Sequence, residues 1–127
     1  MRSERLLMIV SILGGTLLTV IGVRYFLVPE HAARTFGLPA RPAGHELYSI
    51  VGLRNVWLGL LAIGMAGLRQ WRALALWFAL SSVVCFADAT IAARALGELA
   101  KVAFHAGCGL ASVALFWATW RRSQAAG

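Results

Sequence analysis

Four long, apolar and almost uncharged runs dominate this chain and limit the folds that it can adopt. They cover residues 6–28, 47–68, 71–95 and 102–120. About 20 mostly apolar residues are enough for a helix to cross the hydrocarbon core of a bilayer, which is roughly 30 Å thick. Within the hydrocarbon core, the backbone N–H and C=O groups of each segment must form hydrogen bonds inside the protein. The sequence lacks the ten-residue segments of alternating hydrophobicity that are typical of a membrane β-barrel. The sequence therefore predicts an all-α integral membrane protein that forms an antiparallel four-helix bundle.

The composition argues against the main alternatives. Of the 127 residues, 60% are hydrophobic and 13% are charged, whereas ordinary soluble domains have roughly 25% charged residues. Neither a water-soluble domain nor a disordered chain is therefore expected. The net charge of +7 comes from residues scattered between the apolar runs, so no nucleic-acid partner is predicted. We expect one domain over residues 1–127 in the lipid bilayer, and the sequence leaves homo-oligomerisation open.

The connection between the first and second runs contains the signals of a short helix. Pro29 suits the first position of a helix, Glu30 favours a helix N-terminus, and Gly37 can end a helix in the left-handed conformation. We expect a helix over residues 29–36 that lies at the membrane interface. The first run exceeds the 7–15 apolar residues of a secretory signal, so it is interpreted as a retained span.

An even number of spans places both chain termini on one side of the membrane, which we call the terminus side. That side has six basic residues and the opposite side has five, and Lys and Arg favour the cytoplasm. Cytoplasmic termini are therefore expected. The basic residues of the terminus side are Arg2, Arg5, Arg69, Arg72, Arg121 and Arg122, and those of the opposite side are Arg24, Arg34, Arg41, Arg94 and Lys101.

Two ionisable residues interrupt the second and third runs. At about 1.5 Å rise per residue, Arg54 lies roughly 10 Å inward from residue 47, and Asp88 lies roughly 10 Å inward from residue 95. Both depths are measured from the opposite side. Charged groups in spans are costly and usually face the bundle interior, so we predict an ion pair. The pair either only neutralises two buried charges and fixes the helix register, or belongs to a binding or proton-handling site.

Further polar residues fall at a similar depth in the other runs. His105 lies one turn into the fourth run, and Arg24 lies about one turn from the end of the first. The predicted binding residues are Arg24, Tyr48, Arg54, Asn55, Asp88 and His105. Asp88 and His105 are also the candidate catalytic residues, although His105 is equally interpreted as an interfacial histidine with one hydrogen bond. On the short helix, the charged residues form either a lid or a solvated face: Glu30, His31 and Arg34.

Small residues mark the expected packing faces, because membrane helices approach closely where side chains are small. They are Ser11, Gly15 and Gly22 in the first run, Gly52, Gly59 and Ala66 in the second, and Gly107, Ala111 and Ala114 in the fourth. Cys85 and Cys108 stand singly in different runs, so thiol oxidoreductase chemistry is not expected. No metal-ligand spacing is recognisable, and neither a metal nor a cofactor is predicted.

The residues around the short helix and in the second run resemble a known family. They are Phe26-x-x-Pro29, Ala33-x-x-Phe36-Gly37-Leu38-Pro39 and Gly52-Leu53-Arg54-Asn55-x-x-Leu58-Gly59. This pattern, between residues 26 and 68, is similar to small bacterial four-span membrane proteins grouped as a domain of unknown function, and more distantly to DoxX-like proteins. The family often has Asp where this chain has Asn55. The resemblance implies the fold, a bacterial inner-membrane location and the importance of Arg54, but no activity.

Two functions remain open. The preferred one is a non-enzymatic membrane protein that binds a small lipophilic or anionic molecule, or a partner subunit, at the cluster around Arg54. The alternative is a membrane-embedded isomerase or cyclase acting on a lipid-soluble substrate. Asp88 or His105 would then be the acid or base, and Arg54 would hold an anionic or carbonyl oxygen. The enzyme hypothesis requires a cavity between the helices.

Overall fold

A computed structural model describes residues 2–39 and 45–125, without the side chains of Arg2 and His45. The helices are α1 (Arg2–Leu27), α2 (Pro29–Phe36), α3 (His45–Gly67), α4 (Trp71–Ala95) and α5 (Leu99–Ala125). No strand occurs in these two ranges, and the predicted all-α class is confirmed. Arg41, which was counted among the basic residues of the opposite side, lies outside the described residues.

Helices α1, α3, α4 and α5 are each long and apolar enough to cross a membrane. Between 11 and 28% of the most apolar stretch in each helix is buried inside the protein. Large side chains such as Leu13, Ile50 and Val83 are more than 60% exposed. Soluble monomers rarely expose contiguous apolar surface of this extent, because its hydration is unfavourable. The structure therefore indicates a membrane protein, as the sequence does.

The terminal helices extend beyond the apolar runs that predicted them. Helix α1 begins at Arg2, and α5 covers Leu99–Ala125 rather than 102–120. Both extensions on the terminus side contain charged residues that form hydrogen bonds, among them Glu4 and Arg122. A hydropathy boundary marks the expected edge of the hydrocarbon, but a helix continues into the polar region when its backbone bonds remain favourable.

Helix α2 has the ends that its sequence predicts. Pro29 occupies the first helical position, and Gly37 follows the helix with φ of 107°. The Gly37 N–H donates to the carbonyl oxygens of Ala33 and Arg34, and the Leu38 N–H also donates to Ala33. These bonds satisfy carbonyls that the last helical turn leaves free. The short helix over 29–36 is thus confirmed as a helix.

The long helices pack mainly in two pairs, α1 with α3 and α4 with α5, and contacts between the pairs are sparse. Glycines form the contact between α1 and α3. A Cβ atom added at Gly15 would lie 2.7 Å from the carbonyl oxygen of Gly59, and one added at Gly22 would lie 2.7 Å from that of Gly52. Since residue numbers rise along α1 as they fall along α3, these two helices run in opposite directions. The expected small-residue face is confirmed for this pair.

The packing face expected for the fourth span is wrong. Its small residues are exposed on the outer surface of α5: Gly107, Ala111 and Ala114. The helix instead buries His105, Gly109, Ser112, Thr119 and Ser123. The Phe86 ring of α4 covers Gly109, where an added Cβ atom would lie 2.8 Å from the ring. The Thr119 hydroxyl donates 2.7 Å to the Leu115 carbonyl of its own helix, so this side chain is buried without a partner on another helix.

One carboxylate joins three segments on the terminus side. Oε2 of Glu4 lies 2.6 Å from Nη2 of Arg122, and Oε1 lies 3.7 Å from Nε of Arg69. The contact connects the start of α1, the α3–α4 turn and the end of α5. Glu4 is an acidic residue among the basic residues of this side. The sequence did not predict that it joins the helix ends.

Candidate functional site

Polar side chains from all four long helices converge near the opposite side. The Tyr25 side chain is 4% exposed, and its ring centroid lies 6.3 Å from that of Tyr48. Asp88, Arg54 and Arg24 lie within electrostatic range of the Tyr25 hydroxyl. The structure therefore brings polar residues of α1, α3 and α4 into one neighbourhood.

Asp88 is half-buried on α4 and lies within electrostatic range of His105 and Arg54. The ion pairs among the described residues join Glu4 with Arg69, Glu4 with Arg122, and Lys101 with Glu98. Within residues 2–39 and 45–125, Arg54 and Asp88 do not come within the 4.0 Å of an ion pair. The predicted direct pair is therefore wrong, although the two charges act on each other at longer range.

The rotation of α3 about its axis explains why the pair does not form. Gly52 and Gly59 face α1, and successive residues of an α-helix are about 100° apart. Arg54 is two residues beyond Gly52 and therefore points about 200° away from the α1 contact. Its side chain is exposed, next to the exposed Leu53, while Asn55 turns back inward and is 8% exposed. Arg54 thus lies on the outer surface of the protein.

His105 connects the cluster to the short helix. Its Nε2 atom lies 2.9 Å from the carbonyl oxygen of Phe36, and the two rings lie 4.4 Å apart between centroids. A carbonyl can only accept, so Nε2 must have the proton in this contact. One hydrogen bond is also what an unreactive interfacial histidine would make, and the geometry fits both interpretations.

Helix α2 lies against this cluster through its small and apolar residues. Nη2 of Arg24 donates to Oγ1 of Thr35 over 3.2 Å, and Ala32 and Ala33 are buried. At its C-terminal end, a Cβ atom on Gly37 would lie 3.1 Å from that of Ala92 on α4. The short helix therefore extends from the end of α1 to the α4–α5 pair.

The sequence predicts that three polar residues of α2 form either a lid over the cluster or a solvated face. Glu30, His31 and Arg34 are exposed. With Val28, they line an open depression of about 320 Å³. Their exposure fits the solvated face, and the lid stays a prediction.

The described residues offer no ready-made metal site. Within 2–39 and 45–125, no three His, Cys, Asp or Glu side chains lie close enough together to hold an ion. Cys85 and Cys108 are partly buried and form no disulfide.

Comparison with known proteins assigns the chain to a family. Residues 15–120 match the sequence model of a domain of unknown function, DUF4267. The match includes Arg24, Arg54, Asp88 and His105, together with the glycines between α1 and α3. No curated protein and no solved structure matches the chain significantly. Because the match covers most of the sequence, the chain belongs to the DUF4267 family.

Proposed function

We propose that this protein binds a small lipophilic molecule with an anionic head at the polar cluster. The residues of the site are Arg24, Tyr48, Arg54, Asn55, Asp88 and His105. The observation that supports the proposal is the exposed position of Arg54, inside a spanning helix and without an ion-pair partner among the described residues. Arginine is not deprotonated in proteins, and a charge at this depth is costly. An anionic group arriving within the membrane would lower that cost.

The surroundings of Arg54 suit a molecule with an apolar tail. Ile50, Leu53 and Trp57 flank it on α3, and all three are more than half exposed. A carboxylate or phosphate can accept two parallel hydrogen bonds from one guanidinium group. Arg24, half-buried at the end of α1, adds a second positive charge. The head would be held by Arg54 and attracted at longer range by Arg24, and the tail would lie along the outer surface of α3.

The proposal includes the arrangement of the chain in its membrane. We place α1, α3, α4 and α5 as an antiparallel bundle in the inner membrane of a bacterium, with both termini in the cytoplasm and α2 at the opposite interface. The two contact pairs of helices and the basic-residue count support this arrangement. The ligand would then enter sideways from the lipid, because Arg54 is exposed there.

Binding of palmitate and of its methyl ester tests the role of the guanidinium. The protein is purified in detergent, and the two probes are titrated while retained probe is measured by native mass spectrometry. We expect the wild type to prefer palmitate over the ester, and Arg54→Gln to lose about ten-fold or more of that preference, since hydrogen bonds to charged groups contribute about 1.5–3 kcal/mol.

Arg94→Gln is the matched control, because Arg94 is also exposed near the opposite side, at the end of α4. This variant should bind both probes as the wild type does. Equal binding of palmitate and its ester by the wild type would contradict the proposal. So would the co-purification of a stoichiometric protein subunit that Arg54→Gln releases, since the anionic group would then belong to a partner.

One observation favours a second candidate, a membrane-embedded isomerase or cyclase. The Asp88 carboxylate is half-buried close to His105, and no hydrogen bond joins it to another described residue. Such a group can exchange a proton with a bound substrate. Neither of the two depressions is lined by Asp88 or His105. Because an enzyme requires a cavity at these residues and the binding proposal uses the exposed surface of α3, binding is preferred. Conversion of a membrane lipid extract into species of equal mass, lost in Asp88→Asn while palmitate binding persists, would support the enzyme.

A further inference from the structure

The outer surface of α5 has a depression near the terminus side. It measures about 490 Å³ and is lined by Ala114, Trp117, Ala118 and Arg121. All four side chains are exposed. The two alanines and Trp117 give it an apolar floor, and Arg121 stands about two turns, or 10 Å, from Ala114 along the helix. The depression therefore begins in the apolar part of the span and ends at a cation.

Arg121 and its neighbour Arg122 differ in their ion pairs with the described residues. Arg122 forms a 2.6 Å contact with Glu4. Arg121 has no ion-pair partner within 2–39 and 45–125. Trp117 is 55% exposed, and tryptophan is typical of the membrane interface, where one edge of the ring is apolar and the other is hydrated. The site thus pairs an apolar floor with an unneutralised cation at headgroup level.

We propose that this depression binds an anionic phospholipid. One acyl chain would lie on Ala114 and Ala118 beside Trp117, and the phosphate would accept hydrogen bonds from the Arg121 guanidinium. The site is separate from the cluster around Arg54, which lies toward the opposite side, and it does not depend on the ligand proposed there.

A second copy of the chain is a less suitable occupant. Two copies with the same orientation in a membrane pair about an axis along the membrane normal, and each residue near that axis then meets its own equivalent. Arg121 would approach Arg121 in that arrangement, and the Glu4 carboxylate at this end of α5 already contacts Arg122 and Arg69. Charge complementarity therefore favours a negatively charged lipid over self-association through this face.

Lipid retention tests the proposal. The full-length protein is reconstituted in vesicles containing equal amounts of phosphatidylcholine and phosphatidylglycerol, extracted gently, and measured by native mass spectrometry. The wild type should retain phosphatidylglycerol preferentially. Arg121→Gln should lower that preference about five-fold, because a basic residue near a membrane surface contributes about 1 kcal/mol of attraction to anionic lipid. Arg72→Gln, which removes an exposed cation from the same side without touching the depression, should leave the preference unchanged.

A variant that fills the depression distinguishes lipid binding at this site from a general effect of surface charge. Ala118→Leu should occupy the floor and lower phosphatidylglycerol retention, whereas Ala111→Leu adds the same volume on exposed α5 surface outside the depression and should not. Equal retention of both lipids by the wild type, or equal losses in Arg72→Gln and Arg121→Gln, would overturn the proposal. A dimer that Ala118→Leu dissociates would do so as well, since the face would then be occupied by protein.

Discussion

Replacing Gly59 by alanine should destabilise the close packing of α1 against α3. A Cβ atom at residue 59 would lie 2.5 Å from the carbonyl oxygen of Gly15 and 2.8 Å from the backbone nitrogen of Thr19, and it would also meet the Thr19 hydroxyl. Ordinary contact begins at 3.4 Å, so the gap to the Gly15 oxygen is about 0.9 Å too short. Two of these atoms belong to the α1 backbone and cannot rotate away. Helix α1 or α3 must therefore shift as a whole.

Gly64→Ala provides the matched control for this prediction. Residue 64 lies on the same helix, and a Cβ atom there would have no neighbour within 4 Å. Both substitutions gain the same helix propensity, about 1 kcal/mol relative to glycine, and the comparison cancels that gain. Overpacking typically costs about 1–3 kcal/mol. Gly59→Ala should therefore be less stable than Gly64→Ala by about that amount.

Unfolding in mixed micelles with increasing dodecyl sulfate measures the difference. Helix content and tryptophan fluorescence are followed together, and the free energy of unfolding is compared among wild type, Gly59→Ala and Gly64→Ala. Gly15→Ala should behave as Gly59→Ala does, because it meets the same interface from the other helix. If Gly59→Ala proved as stable as Gly64→Ala, close backbone approach would not hold α1 and α3 together, and the packing argument would fail.

Three other perturbations follow from particular contacts. His105→Ala removes the hydrogen bond to the Phe36 carbonyl, which should cost about 1 kcal/mol and speed amide hydrogen exchange in α2; unchanged exchange would show that the contact does not hold this helix. Gly37→Ala forces a side chain into the left-handed region at φ of 107° and should destabilise by about 1–2 kcal/mol, measured as a lower thermal midpoint. Glu4→Gln should lower the midpoint at low salt and less at high salt, because it removes the contact with Arg122; a difference independent of salt would exclude an electrostatic origin.

The helices could be predicted from the sequence because their signals are long or strong. Uncharged runs of about 20 residues have few alternatives in a membrane. The short helix was marked by Pro29 at its start and Gly37 after its end. The boundaries of α1 and α5 were less accurate, because charged residues continue a helix past the point at which hydropathy falls.

The predicted Arg54–Asp88 ion pair does not form, because the position of a residue along its helix does not fix the direction in which its side chain points. The rise per residue predicts a similar level for both groups, but an ion pair also requires the side chains to face each other. Gly52 and Gly59 were already assigned to the packing face of the second span, and Arg54 lies about 200° around the helix from Gly52. Once α1 is known to pack on these glycines, their positions in the sequence indicate that Arg54 points outward.

The packing face of α5 could not be chosen from residue size. This helix has small residues on two faces, one with Gly107 and Ala111 and the other with Gly109 and Ser112. Either face would permit close approach. The structure uses the second face, where the Phe86 ring packs on Gly109. The ring belongs to a different helix, so the choice depends on a tertiary contact that no local pattern specifies.

The division of the bundle into two helix pairs suggests why the polar cluster is located where it is. Within α1–α3 the backbones are in close contact, and a polar group there would have to be fully satisfied or removed. Tyr25 and Asn55 come from that pair, while Asp88 and His105 come from the other, so the cluster lies along the boundary between pairs where contacts are sparse. Polar side chains that would be unfavourable inside either closely packed pair are thus collected where contacts between helices are sparse.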